Sequence, residues 1–474
     1  MNKPILRIFI VLVLLFALLL VWTTRWTVID ASQLQNNPLN VRTLLDELKI
    51  KRGRILADDG TVLAKSVPAP GGTWHRSYPT GSLFAQAVGY STAAAGDSAG
   101  LELSRGPELR GVQTGLSSVF GQLGGSPRVG DDVYTTLDPK AQRVAVAGLA
   151  GRVGSVVALD PRTGAVKVMY SNPTYNDNDP HATGPNISNF NRATQAAYPP
   201  GSTFKVVTDT AALTSRRYTP SSVVNGDSPK IIGGVPLAND NNQSFGNIDL
   251  TTALTFSVNT VWAQVAEALG RVTMTDYMQR FGFYTKPPLD YPSDEMSVSR
   301  PFSPTGAAYP PASPREDIGR IGIGQGGLAV TPLQMAMVAA AVANGGTLMT
   351  PHFTSRVVDP TGVTVETIKP SVWRQVTTPS MAAEITQMMR RVVEEGTGTP
   401  AALGGISVAG KTGTASVGLP GQGFTQPWFI GFAPVPHPKV AVAVTIERTR
   451  GGFGGTVAAP IARSVIQTLL SEGQ

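Results

Sequence analysis

The stretch that leaves this chain the least choice is "IFIVLVLLFALLLVW", residues 8–22, in which no side chain is charged or amide-bearing. A helix that is apolar all round has no solvated face, so it must be covered by protein or by lipid. Crossing the hydrocarbon of a bilayer takes about 20 residues, with roughly 17 as the lower limit. Pro4 to Leu6 extend the run past Arg7, so residues 4–22 suffice if the Arg7 guanidinium snorkels to the interface. A cleaved secretory leader is the rival, but "VWTTRWTVI" offers no small-x-small cleavage site. Lys3, Arg7 and the amino terminus favour a cytoplasmic start, although Arg25 weakens the asymmetry. The expectation is a signal anchor over residues 1–28: a single-pass protein of the cell membrane with its bulk extracytoplasmic.

Composition narrows the chemistry. The chain of 474 residues has no cysteine, which excludes disulfides, a thiol nucleophile and zinc–thiolate sites. His75, His181, His352 and His437 stand far apart with no H-E-x-x-H, so no metal and no cofactor is expected. The formal net charge is +7, but the basic residues are scattered, and no Lys/Arg run interleaves with aromatics. Nucleic acid is therefore not the expected partner. A length of 474 residues accommodates about two to three domains at roughly 150 each.

Residues 29–50 read as an exit segment and a helical stretch. "RGRILADDGTVLAKS" (52–66) alternates apolar and polar residues around Asp59 and Gly60, which predicts strand, turn, strand. Residues 67–135 are rich in Gly, Ser and Pro and support no strong helix. From there a helix is predicted over about 141–150, then two strands joined at 161–164. Further helices are predicted over 205–215, 251–269, 331–344, 380–395 and 457–471, with strands over 427–434 and 439–448. This order is no regular βαβ alternation. It predicts an α+β fold, an antiparallel sheet with helices packed on it. The expected division is an anchor (1–28), a small β-rich N-terminal domain (29–135) and a main unit (136–474).

Of the twelve lysines, Lys205 alone has a serine three residues before it, in "PPGSTFKVV". Two prolines and Gly201 close an irregular segment there, and Ser202 stands where a helix would begin. Positions i and i+3 share a helix face, so hydroxyl and amine are neighbours. An amine can take the hydroxyl's proton if it is neutral at the working pH. Burial and nearby positive charge both lower a lysine pKa in that direction. A helix start also offers the Ser202 backbone N–H to a developing oxyanion. Taken alone, the pattern equally fits a capping serine beside an exposed lysine.

Ser257-Val258-Asn259 is the one S-x-N in the chain, and Lys411-Thr412-Gly413 the one K-T-G. Thr414 opens a Thr, Ala, Ser and Val run suited to a strand edge. Each motif is unremarkable by itself. Together, in the order S-x-x-K, S-x-N, K-T-G, they form the set shared by penicillin-recognising serine enzymes.

Two decoys have to be set aside. Residues 405–412 also fit G-x-x-x-x-G-K-[ST], a phosphate-cradling loop that needs an apolar strand before it and a helix after it. Here "EEGTGTPAAL" precedes and "GTASVGLPGQG" follows, which are neither. "GIGQGG" (322–327) fits G-x-G-x-x-G, but no acidic residue stands about 20 positions on, as dinucleotide binding requires. It reads as a tight loop before a helix capped by Thr331 and started by Pro332. "GGFGG" (451–455) reads as a flexible turn near the site.

On these residues the chain resembles a class B penicillin-binding protein of the actinobacterial type, a D,D-transpeptidase of peptidoglycan. The likeness runs over nearly the whole chain. "RGRILADDG" is similar to the R-G-x-I motif of that family's non-catalytic pedestal. "GLELSRGPELRG" is similar to its G-x-E…L-x-G segment, with Glu102, Leu109 and Gly111 in place. "YTTLDPKAQ", "GIGQGGLAVTPLQMA" and "WFIGFAP" add to it in the catalytic part. The resemblance implies Ser202 as the acyl-accepting nucleophile and Lys205 as its general base. It implies Ser257 as the relay of a proton to the leaving D-alanine and Asn259 as the hold on the donor amide. The strand of Lys411, Thr412, Gly413 and Thr414 would bind substrate: Lys411, Thr412 and Thr414 would meet the terminal carboxylate, and Lys411 would depress the Lys205 pKa. The backbone N–H groups of Ser202 and Thr414 would form the oxyanion hole, each such donor being worth about 10²–10³ in rate. The implied substrate is the peptidoglycan stem peptide, the implied inactivators are β-lactam antibiotics, and the implied partners are a multi-span glycan polymerase with divisome or elongation proteins. No room for a glycosyltransferase domain is left between residue 29 and the transpeptidase unit.

Two other functions compete. "STFK", "KTG" and "WFIG" are also reminiscent of the oxacillin-hydrolysing serine β-lactamases. Against that stand S-V-N where those enzymes have S-x-V, the uncleaved anchor, and the long segment before the catalytic unit. A non-catalytic penicillin sensor or division scaffold is the other. Intact Ser202, Lys205 and Lys411 argue against it, and so does a cytoplasmic start of seven residues.

Overall fold

A computed structural model of the chain describes residues 3–30, 45, 47–92, 97–112, 128–418 and 422–471. The helical stretch expected within 29–50 lies almost wholly outside them. The apolar run forms a helix, Lys3–Thr24, prolonged by one wide turn over Arg25–Ile29. Its large apolar side chains are exposed from end to end. Among the described residues it is the one helix long and apolar enough to cross a membrane.

The expected strand–turn–strand is Ile55–Leu56 and Val62–Ala69, antiparallel, with the Asp59 carboxylate accepting the Thr61 N–H at 2.8 Å in the turn. Thr73–Ser77 extends this N-terminal sheet on one side, and Asp132–Thr135 lies parallel to Ile55–Leu56 on the other. The remaining two of its six strands, Thr354–Val358 and Thr364–Thr367, come from far downstream. The sheet thus draws on both sides of residue 135, a long-range pairing that no local periodicity reveals. Arg105 bolts the junction, bonding Thr354 Oγ1 at 3.0 Å and pairing with Glu366 at 3.1 Å and Asp290 at 3.4 Å. Two short helices, Gly100–Ser104 and Gly106–Leu109, interrupt the segment where no strong helix was predicted. The first carries Glu102 into the interior between Arg52 (2.8 Å) and Arg76 (2.5 Å).

The second sheet is antiparallel, in the order Ala409–Val417, Phe424–Ala433, Val440–Ile446, Gly154–Leu159, Val166–Asn172. Strand residues alternate between its faces. Val156, Ala158, Val442 and Val444 pack with Ala145, Leu149, Val465 and Ile466 of helices Pro139–Leu149 and Ala459–Ser471. Val157, Ala441, Ala443 and Ile430 face the other way, into the core shared with helix Pro332–Ala343. With both faces covered, the two central strands are buried throughout and read as nearly continuous apolar runs, broken by Ser155 and Thr445. Helix Pro332–Ala343 is buried all round but for Ala343, as its near-total lack of polar residues requires. Thr331 caps it, Oγ1 accepting from the Gln334 N–H at 3.1 Å. The α+β class and the antiparallel sheet with packed helices agree with the sequence reading.

One helix expectation needs correcting. The helix predicted over 251–269 is two, Leu250–Thr255 and Asn259–Arg280, and the second is itself broken at Gly270 (φ +80°). The first break falls at Ser257, whose φ is +61°. That left-handed geometry is rare for a residue with a side chain. Ser257 therefore stands at a sharp corner instead of on a helix face.

Candidate active site

Gly201–Phe204 forms a turn of 3₁₀ helix that runs directly into helix Lys205–Thr214. In 3₁₀ geometry residues i and i+3 eclipse, which puts Ser202 and Lys205 on one side. Ser202 is half-buried, while Lys205 is 0% exposed. The Lys205 amine donates to the Ser257 carbonyl (2.7 Å) and Asn259 Oδ1 (2.7 Å) and lies 3.2 Å from Ser257 Oγ. From the edge strand Ala409–Val417, Lys411 Nζ reaches the same Ser257 Oγ at 2.9 Å and the Thr412 carbonyl at 3.0 Å. The Ser257 corner thus bridges two lysine amines. Ser202, Lys205, Ser257, Asn259 and Lys411, far apart in sequence, are gathered in one place.

Along the edge strand, Lys411 and Gly413 share a face, and that face lies on the Gly201–Phe204 turn. A Cβ on Gly413 would fall 2.7 Å from the Pro200 carbonyl oxygen and 3.0 Å from the Thr203 nitrogen. Only glycine permits that approach. The alternate residues look the other way: Thr412 Oγ1 shares a hydrogen bond with Thr397 Oγ1 (2.6 Å), and Thr414 Oγ1 accepts from the Gly454 N–H (3.1 Å). The Thr414 backbone passes within about van der Waals reach of Gly201, where a Cβ would meet its carbonyl carbon at 3.1 Å.

Both lysines are fully buried, and among the described residues neither forms an ion pair. Burial pushes the Lys205 amine well below the usual lysine range, the charge of Lys411 pushes it further, and Asp240 opposes. Burial lowers Lys411 to about 7. Their hydrogen-bond partners among the described residues are neutral oxygens, so a second positive charge in this space finds little compensation beyond Asp240. Lys205 is accordingly shifted toward the neutral amine, the form whose lone pair can accept a proton.

Several contributors escaped the sequence reading. The "GIGQGG" loop is more than a helix lead-in: Gly324 (φ +76°) accepts the Gly201 N–H at 3.0 Å, and a Cβ there would overlap the Gly201 carbonyl. Thr397 and Gly454 fix the two threonine hydroxyls, and Trp428 Nε1 donates to the Pro199 carbonyl at 3.0 Å. Asp240 lies in a loop whose only sequence signal is the polar string "ANDNNQS". The "GGFGG" segment, expected as a flexible turn, runs at Gly454 into a wide helical turn, Gly454–Ala458, whose first N–H meets Thr414 Oγ1.

Comparison with known proteins follows the same lines. Residues 154–467 match the family model of the penicillin binding protein transpeptidase domain, and residues 52–133 that of the penicillin binding protein A dimerisation domain. The peptidoglycan D,D-transpeptidase PbpA of Mycolicibacterium smegmatis is 33% identical over the full length of both chains. Penicillin-binding protein A from M. tuberculosis, solved as a ceftriaxone acyl-enzyme, is 31% identical with a TM-score of 0.79, covering 90% of this chain and 100% of that one. Its imipenem acyl-enzyme gives 0.78 at the same identity and coverage. With its site assembled from the three motifs and its length matched from end to end, the chain belongs to the penicillin-binding protein transpeptidase family.

Proposed function

We propose that this protein is a membrane-anchored serine D,D-transpeptidase that cross-links peptidoglycan stem peptides through an acyl-serine and is inactivated by β-lactams. The observation that carries the proposal is the hydrogen-bonded set joining Lys205, Ser257, Asn259 and Lys411 beside Ser202. On this reading the neutral Lys205 amine accepts the Ser202 Oγ proton as Oγ attacks the carbonyl carbon of the terminal D-Ala–D-Ala bond. The oxyanion faces the backbone N–H groups of Ser202 and Thr414. The proton passes through Ser257 Oγ, which touches both amines, to the departing D-alanine nitrogen, and the acyl group stays on Oγ. Asn259 orients the donor amide. Lys411, Thr412 and Thr414 of the edge strand bind the terminal carboxylate, Thr414 Oγ1 being held by the Gly454 N–H. An amine from a neighbouring stem then takes the acyl group, and Ser202 regains its proton.

The division into anchor (1–28), pedestal (29–135) and catalytic unit (136–474) belongs to the proposal, with the strands of 354–367 contributing to the pedestal sheet. So does an extracytoplasmic catalytic unit, supported by the apolar first helix and the charges of Lys3 and Arg7. A multi-span glycan polymerase, acting in division or in elongation, is the protein partner this reading calls for. The test is intact-mass analysis after penicillin treatment. One adduct is expected, on the peptide containing "GSTFK", and an adduct that survives in Ser202→Ala would overturn the assignment. The penicilloyl enzyme is expected to persist for minutes to hours after free drug is removed. Release within about a second, near ordinary turnover, would assign the protein to the β-lactamases instead.

A further inference from the structure

We infer that Asp240 receives the acceptor amine, accepting its N–H and stabilising the positive charge that builds on nitrogen as it attacks the acyl-serine. This rests on the transpeptidase reading above and adds to it the second substrate's seat.

Hydrogen bonds place the loop that carries this residue. Asp240 opens a turn, Asp240–Asn242, between the strands Val235–Leu237 and Asn247–Asp249. Its loop is tied to the S-x-N corner on both sides. The Ala238 carbonyl accepts from Asn259 Nδ2 at 3.2 Å, and the Asn239 Oδ1 accepts from the Thr260 N–H at 2.9 Å. Asn239 is 5% exposed, and its Nδ2 donates to the carbonyls of Gly226 and Gln243, both at 2.9 Å. Asn259, which holds Ala238, is the same residue that holds the Lys205 amine. Asn241 and Asn242 take left-handed φ of +50° and +55°, a geometry asparagine tolerates, and the turn leaves Asp240 exposed. Its carboxylate forms no ion pair or hydrogen bond among the described residues, yet its charge reaches Lys205, the one carboxylate that opposes the depression of that amine.

The chemistry asks for such a group. Lys411, and Lys205 whenever it carries a proton, make the inner cleft suited to the donor's carboxylate and hostile to an incoming cation. Amine attack forms the C–N bond before nitrogen has lost a proton, so positive charge appears on it in the transition state. The carbonyl electron pair moves to oxygen, returns as the C–Oγ bond breaks, and one N–H proton ends on Ser202 Oγ by way of Lys205. An acceptor arriving as an ammonium first releases its extra proton to solvent. A carboxylate fixed at the rim favours this path, because it binds the nitrogen most strongly when that charge is greatest.

The test uses the full-length protein in detergent with a soluble D-alanyl thioester as donor, and D-alanine amide competing with methanol for the acyl-enzyme. In Asp240→Asn the ratio of aminolysis to methanolysis is expected to fall about tenfold, the loss of one charge-assisted hydrogen bond. Asp240→Glu should recover most of it. With the negative charge gone, the rising limb of acylation against pH should also move to lower pH in Asp240→Asn, a change that a merely structural defect would not produce. An unchanged ratio would overturn the inference. So would a selective loss of hydrolysis, which would make Asp240 a base for water. If the wild type formed no acyl-enzyme at all, the transpeptidase reading itself would fall, before any variant was made.

Discussion

Two regions of this molecule bury charged side chains completely and neutralise them in opposite ways. In the N-terminal sheet, Glu102 lies between Arg52 and Arg76. Burial alone would raise its carboxyl, but the two guanidiniums outweigh that and hold it below the usual range. In the cleft, Lys205 and Lys411 have only neutral oxygens as partners, and both are driven toward the neutral amine. The first cluster keeps its charges and serves as scaffold. In the second the amines are shifted toward losing their protons, and a group pushed toward its less common protonation state is a group ready to react.

The difference can be broken from either side. Glu102→Gln leaves two buried guanidiniums without a counter-charge, and should destabilise by about 3–5 kcal/mol in urea unfolding. The folded fraction should still acylate with penicillin at the wild-type rate. Lys411→Met is the converse. It removes an unpaired buried charge, so the unfolding midpoint should stay within about 1 kcal/mol of wild type or rise. Acylation should fall by roughly 10²-fold, the scale of one electrostatic contact at a reacting centre. A stable, active Glu102→Gln, or an unfolded Lys411→Met, would erase the distinction.

The two regions should also respond to pH with the same sign but in different windows, because all three groups have depressed folded pKa values. Glu102 has a depressed folded pKa, so its contribution is present above the unfolded value and lost as pH falls through the folded one. The lysines are depressed too, but their favoured form is neutral. The unfolded state binds more protons in their window, so they make stability rise with pH, for Lys411 from about 7 upward. The second-order rate of acylation should climb as Lys205 loses its proton. It should fall again near 7, where Lys411 in the free enzyme loses the charge that draws the carboxylate. Urea midpoints and acylation rates across pH 4–9 check both windows.

A smaller effect is expected from Asp209, four residues beyond Lys205. It is fully buried, neither carboxyl oxygen has a hydrogen-bond partner among the described residues, and burial holds its pKa well above the usual range. It belongs to neither type, having neither the counter-charges of Glu102 nor a place in the three motifs. Asp209→Leu should raise stability by about 1–2 kcal/mol at neutral pH. The gain should shrink as pH falls through about 4, where the unfolded carboxyl also takes up its proton.

How much of this was legible in the sequence depends on the range of the interaction. Helices 205–214, 332–343 and 379–394 and the strands around 428 and 443 follow from local pattern, and the structure has them within a few residues of expectation. The S-x-x-K, S-x-N and K-T-G residues announced themselves by order and uniqueness. Pairings across long separations did not: 354–367 joins a sheet begun at residue 55, and Gly324 underlies Gly201. The corner at Ser257 was hidden because apolar periodicity runs through it, whereas its left-handed φ is imposed by contacts to two lysines and to helix Leu250–Thr255. Asp240 escaped because a carboxylate acting through space leaves no motif.

The central claim is that Lys205 acts on Ser202 as a neutral base and not as a fixed charge. Arginine keeps the charge and cannot give up the proton. The most direct measurement is the rate of acylation by penicillin, followed by intact mass, in Lys205→Arg against Lys205→Ala and wild type. Both variants should fall by about 10²–10⁴, the usual scale of general-base catalysis, and to similar extents. A folded Lys205→Arg that acylated within about tenfold of wild type would contradict the account, since a permanent cation would then suffice at that position.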